Sequence, residues 1–236
     1  MEDSPIPLTK WLPTVWLIVN SKVGISSREI CRSIAITQRS AWFMLHRIRK
    51  ALTPPLTDKL SGEIEIDETL VGGKAKNKHR KKKPFGRRLG PQEAKTLVIG
   101  MLQRRGEVRA AVIADLRKDT TVGEVLTNVE QGSIVYTDGR TSHKWLDILY
   151  HHNVIQHCET YARGKVHINT IENFWSQFKR MIHGSYYQVG PKHLHRYLDE
   201  QAFRYNHKNT NDGGRFLIAM SQLFGKRLTY RDLVGK

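Results

Sequence analysis

Cysteine, long apolar runs and acidic residues are all scarce in this chain. Cys31 and Cys158 are the only cysteines in 236 residues, and they lie far apart. That spacing gives neither a zinc ribbon nor a disulfide framework, and it fits a reducing, cytoplasmic setting. No apolar stretch approaches the roughly 18 residues of a membrane span. Residues 11–19 are apolar but too few, and they lack the small-residue cleavage site of a secretory signal. Asp and Glu total 22 against 39 Lys and Arg, which leaves a formal charge of +17. Such an excess favours a polyanionic partner, because each phosphate neutralised releases condensed counterions. Nucleic acid is the expected one.

What the chain does contain falls into two parts. Residues 8–52 read as helical: Trp11, Val15, Ile18 and Val19 recur at helical spacing, and Ser26-Ser-Arg-Glu29 supplies capping hydroxyls with an acid in the first turn. Ile30 and Ile34 continue an apolar face. Residues 35–37 interrupt it, and residues 38–50 make a second helix with Ala41, Leu45 and Ile48 inward. Two short helices around a tight turn predict a helix-turn-helix whose second helix carries Gln38, Arg39, Ser40, Arg47 and Arg49, with Gln38, Arg39 and Arg47 expected to contact DNA. Three-helix bundles that bind nothing share this pattern. The prolines of Thr53-Pro-Pro-Leu-Thr57 stop the helix. They set the expected boundary between a helical DNA-binding domain, 1–55, and a second domain, 60–236.

From residue 61 the pattern is β then α. Glu63-Ile-Glu-Ile-Asp67 alternates with period two, as a half-buried strand does. Residues 74–88 are Lys, Arg and His with almost no apolar side chain. Such a run is a solvated loop whose Lys78, Arg80, Lys81 and Lys82 can clamp a phosphate backbone. Strands are expected at 96–102 and 108–113 around an Arg104-Arg-Gly106 hairpin turn. A helix follows at 120–129, capped by Thr120 or Thr121, then a strand at 133–136, a helix at 142–150 and a strand at 154–157. Further helices are expected at 168–184, 192–206 and 216–224. In the first of these, Ile171, Phe174, Trp175, Phe178 and Ile182 form one apolar face. Three strands, helix, strand, helix, strand, helix is the order of an α/β ribonuclease H-like fold. Its mixed five-stranded sheet is flanked by helices, with the first and fourth strands adjacent at the centre.

That fold would set Asp67, ending the first strand, beside Asp138, ending the fourth in Thr137-Asp138-Gly139. Glu172, next to the inward Ile171, would sit at the edge of the buried stripe of its helix. Phosphodiester cleavage places charge on both the attacking and the departing oxygen, and two divalent ions can stabilise both. Carboxylates suit Mg²⁺ or Mn²⁺. Each acid also has an ordinary reading: Asp67 and Asp138 as turn residues, Glu172 as a surface acid facing Lys179 or Arg180.

Ile66-Asp-Glu-Thr-Leu-Val-Gly-Gly-Lys74, Tyr136-Thr-Asp-Gly139 and His167-Ile-Asn-Thr-Ile-Glu-Asn-Phe-Trp-Ser176, followed by Lys179-Arg180 and Gly184, resemble bacterial insertion-sequence transposases of the DDE type. The branch is the ISXO-like one, related to the Merlin transposons. Gly24-Ile-Ser-Ser27 and Ala41-Trp-Phe-Met-Leu-His-Arg-Ile-Arg49 extend the likeness over nearly the whole chain. The resemblance implies an endonuclease and strand transferase acting on double-stranded DNA, both transposon ends and target. Asp67, Asp138 and Glu172 would hold two Mg²⁺ or Mn²⁺ ions, with Asn173 a rival for the third place. Lys179 and Arg180 would touch DNA near the site. By analogy, the protein would be a homo-oligomer on DNA, nucleoid-associated in the cytoplasm. Such transposases usually carry an N-terminal zinc ribbon, for which no cysteine pairs stand here. A truncated, non-catalytic DNA-binding remnant acting as a repressor is therefore the alternative expectation. A ribonuclease H acting on RNA–DNA hybrids is disfavoured by the helical domain and the family blocks.

Overall fold

The computed structural model describes residues 4–54, 58–73, 95–138, 145–155 and 167–235. Among them no helix is long and apolar enough to cross a membrane. The elements run α1 (Leu8–Asn20), α2 (Ser27–Ser33), α3 (Gln38–Ala51), β1 (Glu63–Val71), β2 (Thr96–Gln103) and β3 (Val108–Ile113). Then come α4 (Lys118–Asn128), β4 (Ile134–Asp138), α5 (Leu146–Leu149), β5 (His151–Ile155), α6 (Asn169–Met181), α7 (Leu194–Asn206), α8 (Asp212–Gln222) and α9 (Tyr230–Val234).

The sheet has the order β3-β2-β1-β4-β5. β1, β2 and β3 form an antiparallel meander, and β4 and β5 run parallel to β1. This is the ribonuclease H-like fold expected from the element order. One face of the sheet is apolar: Ile64, Ile66, Ile99, Met101 and Val135 pack with Val125 and Val129 from the α4 end and with Trp145 and Leu146 at α5.

Two compact units divide the chain. One comprises residues 55–179 and 188–194, the other residues 1–54, 180–187 and 195–236. The first cut falls at 54/55, beside the expected linker, and residues 180–187 and 195–236 group with the N-terminal helices. The reason lies in packing. Phe203 of α7 and Ala219 and Leu223 of α8 share one buried cluster with Trp11, Val15, Ile18, Ile30, Leu45 and Ile48.

Several boundaries differ from the sequence reading. β5 covers His151–Ile155 because its ladder with β4 runs from Ile134 opposite His151 to Asp138 opposite Ile155; positions 156–157 lie outside the described residues. Of the helix expected at 142–150, the described part holds the single turn α5, and positions 142–144 lie outside the described residues. The helix expected at 216–224 starts earlier, since Asn211 accepts the Gly214 N–H and caps it. α6 stops at Met181 and continues as a π-helical turn, Ile182–Tyr186, before Tyr187 at a positive φ of 58°. α9, closed by a Thr229/Asp232 capping box, had no counterpart in the sequence reading.

Candidate active site

Alternation along β1 turns Ile64 and Ile66 to the apolar face and Glu63, Glu65 and Asp67 to the other. That second face is the one α6 covers: Glu65 Oε2 accepts the Ile171 N–H at 2.9 Å, and its Oε1 accepts the Thr170 hydroxyl at 3.1 Å. Asp67 pairs with Gly100 of β2. A Cβ at Gly100 would lie 2.5 Å from the Trp175 ring and 3.1 Å from Ile171. Only glycine lets α6 approach the strand pair that carries Asp67 so closely.

The β1–β4 ladder runs from Glu63 opposite Ile134 to Glu65 opposite Tyr136. The ladder stops there; β1 runs on to Val71, so Asp67 lies within the strand rather than ending it as expected, while Asp138 closes β4. Tyr136 lies on the α6 face, its ring 4.1 Å beneath the Arg104 guanidinium, and alternation puts Asp138 on that face too. Both aspartates are half-buried. Asp67 Oδ1 accepts the Glu68 N–H at 2.8 Å. Glu172 is exposed in the first turn of α6, as is Asn173, whose Oδ1 accepts from Gln177 at 2.6 Å. Among the described residues, no three His, Cys, Asp or Glu side chains are gathered as a metal-holding group. The structure thus puts two of the expected acids on one face of neighbouring strands and the third in the first turn of the helix covering that face, without clustering all three.

Both strands are braced. Arg104 donates to Glu63 and Glu65 at 2.8 Å and to the His167 carbonyl at 2.6 Å. Burial works against its charge, but Glu65 and Glu63 hold the guanidinium pKa above its ordinary value. Beside Asp138, Thr137 Oγ1 lies 2.7 Å from His152 Nε2, and His152 Nδ1 lies 2.6 Å from Asp147. Acid, imidazole and hydroxyl stand in the order of a nucleophile triad. Thr137 is fully buried, however, so the chain ties β4 to β5 and α5 rather than meeting a substrate.

The expected DNA-contacting residues are placed as follows. Gln38 donates to Ser27 at 2.9 Å. Arg39 donates to the Tyr230 hydroxyl at 3.1 Å and lies over its ring. Arg47 lies over Trp11 and Phe43. Gln38 and Arg39 stay exposed, while Arg47 is half-buried. Lys179 and Arg180 are exposed on α6. Lys78, Arg80, Lys81 and Lys82 lie outside the described residues, as does Cys158. The sequence reading passed over Glu65 and Arg104. Their signal was present, since three acids at i, i+2 and i+4 on one strand face demand a cation.

The ribonuclease H-like sheet carries Asp67 within β1 and Asp138 at the end of β4, two neighbouring strands. The chain belongs to the ISXO2-like transposase domain family, whose model matches residues 59–206. It is 26% identical over 191 residues to an uncharacterised protein in transposable element ISH50 of Halobacterium salinarum, a match covering 77% of this chain and 64% of that relative. The chain therefore spans just under two thirds of that relative's length. A transposase-like protein of Haemophilus influenzae is 31% identical over 101 residues, 42% of this chain and 81% of the relative. More distant are the Mos1 Strand Transfer Complex, at 10% identity and TM-score 0.35, and a pre-cleavage Mos1 transpososome, at 11% and 0.34. They cover 94% and 97% of this chain, and 78% and 83% of their own.

Proposed function

We propose that the protein cleaves DNA at transposon ends and joins them to target DNA by metal-dependent hydrolysis and transesterification. The placement of Asp67 and Asp138 on one face of the neighbouring strands β1 and β4, in a chain of this family, carries the proposal. Mg²⁺ or Mn²⁺ asks for hard oxygen donors and commonly takes one or two carboxylates, the remaining positions going to waters and substrate phosphate. Asp67 and Asp138 fit that demand, and Glu172 is the third holder. A pair of such ions, when bound, stabilises charge on the attacking and departing oxygens and lowers the pKa of a coordinated water.

The chain's own cations do the rest. Lys179 and Arg180 hold phosphates along α6, Lys78, Arg80, Lys81 and Lys82 add to the grip, and Gln38, Arg39 and Arg47 serve the helical part. Residues 1–55 would then be the DNA-binding domain and 60–236 the catalytic one. The protein would act as a homo-oligomer on double-stranded DNA in the cytoplasm.

The test is nicking of supercoiled plasmid with Mg²⁺ or Mn²⁺. Wild type should nick. Asp67→Ala should lose activity by more than about a thousandfold, as expected when charge stabilisation of the transition state is removed, while still retaining DNA. Loss in Glu172→Gln fixes the third holder, and its survival moves attention to Asn173. DNA binding with no nicking by any form would leave the non-catalytic repressor reading.

A further inference from the structure

Glu65 is a carboxylate with no exposed surface, and both of its oxygens are engaged. Oε1 accepts from Arg104 Nε at 2.8 Å and from the Thr170 hydroxyl at 3.1 Å; Oε2 accepts the Ile171 N–H at 2.9 Å. Thr170 and Ile171 are the second and third residues of α6. Amides there have no partner within their own helix, and a negative charge at that end also complements the helix dipole. A strand acid therefore caps a helix more than 100 residues further on, in a separate element. Arg104 closes the arrangement by holding Glu63, Glu65 and the His167 carbonyl just before α6.

The placement links two candidate metal holders. Glu65 precedes Asp67 by two residues on the same strand face, and its acceptor contact is made to the residue immediately before Glu172. We infer that Glu65 is a positioning residue for the metal site. It fixes the first turn of α6 against β1, and so fixes where Glu172 stands relative to Asp67. With both oxygens occupied it is not itself a holder of the ion. The inference rests on the reading of Asp67, Asp138 and Glu172 given above.

The test measures Mn²⁺ binding to the full chain by loss of the free-ion EPR signal, beside plasmid nicking across a range of Mn²⁺ concentrations. Both are run where circular dichroism shows each variant folded. Glu65→Gln keeps the volume but gives up the charge and one acceptor. The Mn²⁺ dissociation constant and the Mn²⁺ concentration for half-maximal nicking should rise together by about tenfold, the usual cost of losing a group that orients a metal ligand. Thr170→Val removes one donor and leaves the buried ion pair, so it tests the same point should Glu65→Gln fail to fold. It should raise both quantities by less, and Thr170→Ser should restore them.

A brace with no bearing on the site would lower only the melting temperature, leaving both Mn²⁺ readouts at wild type. That result overturns the inference. Wild type binding Mn²⁺ no better than Asp67→Ala would overturn the metal reading and the inference with it. The two failures are distinct, because only the first shows wild-type binding that Asp67→Ala abolishes.

Discussion

The two units treat carboxylates differently. In the helical unit, Glu200 is fully buried and meets Arg49 at 2.7 Å, Arg204 at 2.5 Å and the Tyr186 hydroxyl at 2.7 Å. The Arg49 guanidinium in turn lies over the rings of Tyr197 and Tyr186. Burial alone would raise the Glu200 pKa, but Arg204 and Arg49 outweigh it and hold the carboxyl below its ordinary value. Burial likewise opposes the charge of Arg49, and Glu200 reverses the balance, raising that pKa. In the sheet unit, β1 carries both kinds of acid within three residues. Glu65 is fully buried and saturated like Glu200, whereas Asp67, two positions on, is half-buried, as is Asp138 on β4. A carboxylate matched by fixed cations is architecture. Carboxylates that keep a solvent-facing edge, in a chain of charge +17, can be reached by a mobile cation and a polyanion.

Breaking the saturated site should have the largest effect on folding. Glu200→Ala strands Arg49, which is 1% exposed, as a buried unpaired charge. Removing one partner of such a pair costs about 3–5 kcal/mol, read as a fall in the urea midpoint at unchanged slope. A loss under about 1 kcal/mol would mean that the tyrosines and Arg204 rearrange to satisfy Arg49, and the contrast between the units would weaken. Gly100→Ala attacks the other side of the comparison. The added methyl meets the ring of Trp175, a residue 3% exposed. The cost should approach about 3 kcal/mol, the upper part of the overpacking range. Because α6 must move away from β1, nicking should fall further than the loss of folded protein explains. Activity that merely tracks the folded fraction would separate α6 packing from the site.

Much of this was legible in the sequence because it rests on local rules. Period-two alternation marked β1, though not its run past Asp67 to Val71; helical spacing marked α3, α6 and α7, and the order of elements gave the topology that makes the strands of Asp67 and Asp138 neighbours. The partners of buried charge were not legible, since they depend on which distant segments meet. Arg104 reads as half of a hairpin turn, and indeed Arg105 takes the positive φ of that turn. Only the folded hairpin shows Arg104 turning back onto Glu63 and Glu65. The return of α7 and α8 to the N-terminal helices was hidden for the same reason, because an apolar helix face does not say which other face it will cover. α9 was missed because five residues are too few to show periodicity. It nevertheless engages Arg39 through Tyr230, a residue the sequence had offered to DNA.

The finest comparison is between Asp199 and Glu200, neighbours on α7. Glu200 faces two guanidiniums. Asp199 accepts one hydroxyl, from Thr53 at 2.9 Å, and has Arg196 at 3.9 Å as its ion-pair partner. Burial dominates and pushes the Asp199 carboxyl up to about 6, against the lowering by Thr53 and Arg196. A folded-state pKa above the unfolded value means that the native state holds the proton more tightly. Asp199 therefore contributes stability below about pH 4 that is lost as pH rises through about 6. The effect should be on the order of 1–2 kcal/mol, somewhat less than the full shift implies, because the side chain keeps an open edge of 14%. Asp199→Asn keeps the shape and an acceptor for Thr53 but cannot ionise. The difference in unfolding free energy between the variant and wild type should thus grow in favour of Asn between about pH 4 and 6 and stay level above. The same Thr53 Oγ1 lies 3.1 Å from the Lys50 carbonyl at the end of α3, and its single proton serves either acceptor, so ionisation of Asp199 bears on the last turn of that helix. A flat difference curve would show that Thr53 and Arg196 neutralise Asp199 as fully as the arginines neutralise Glu200.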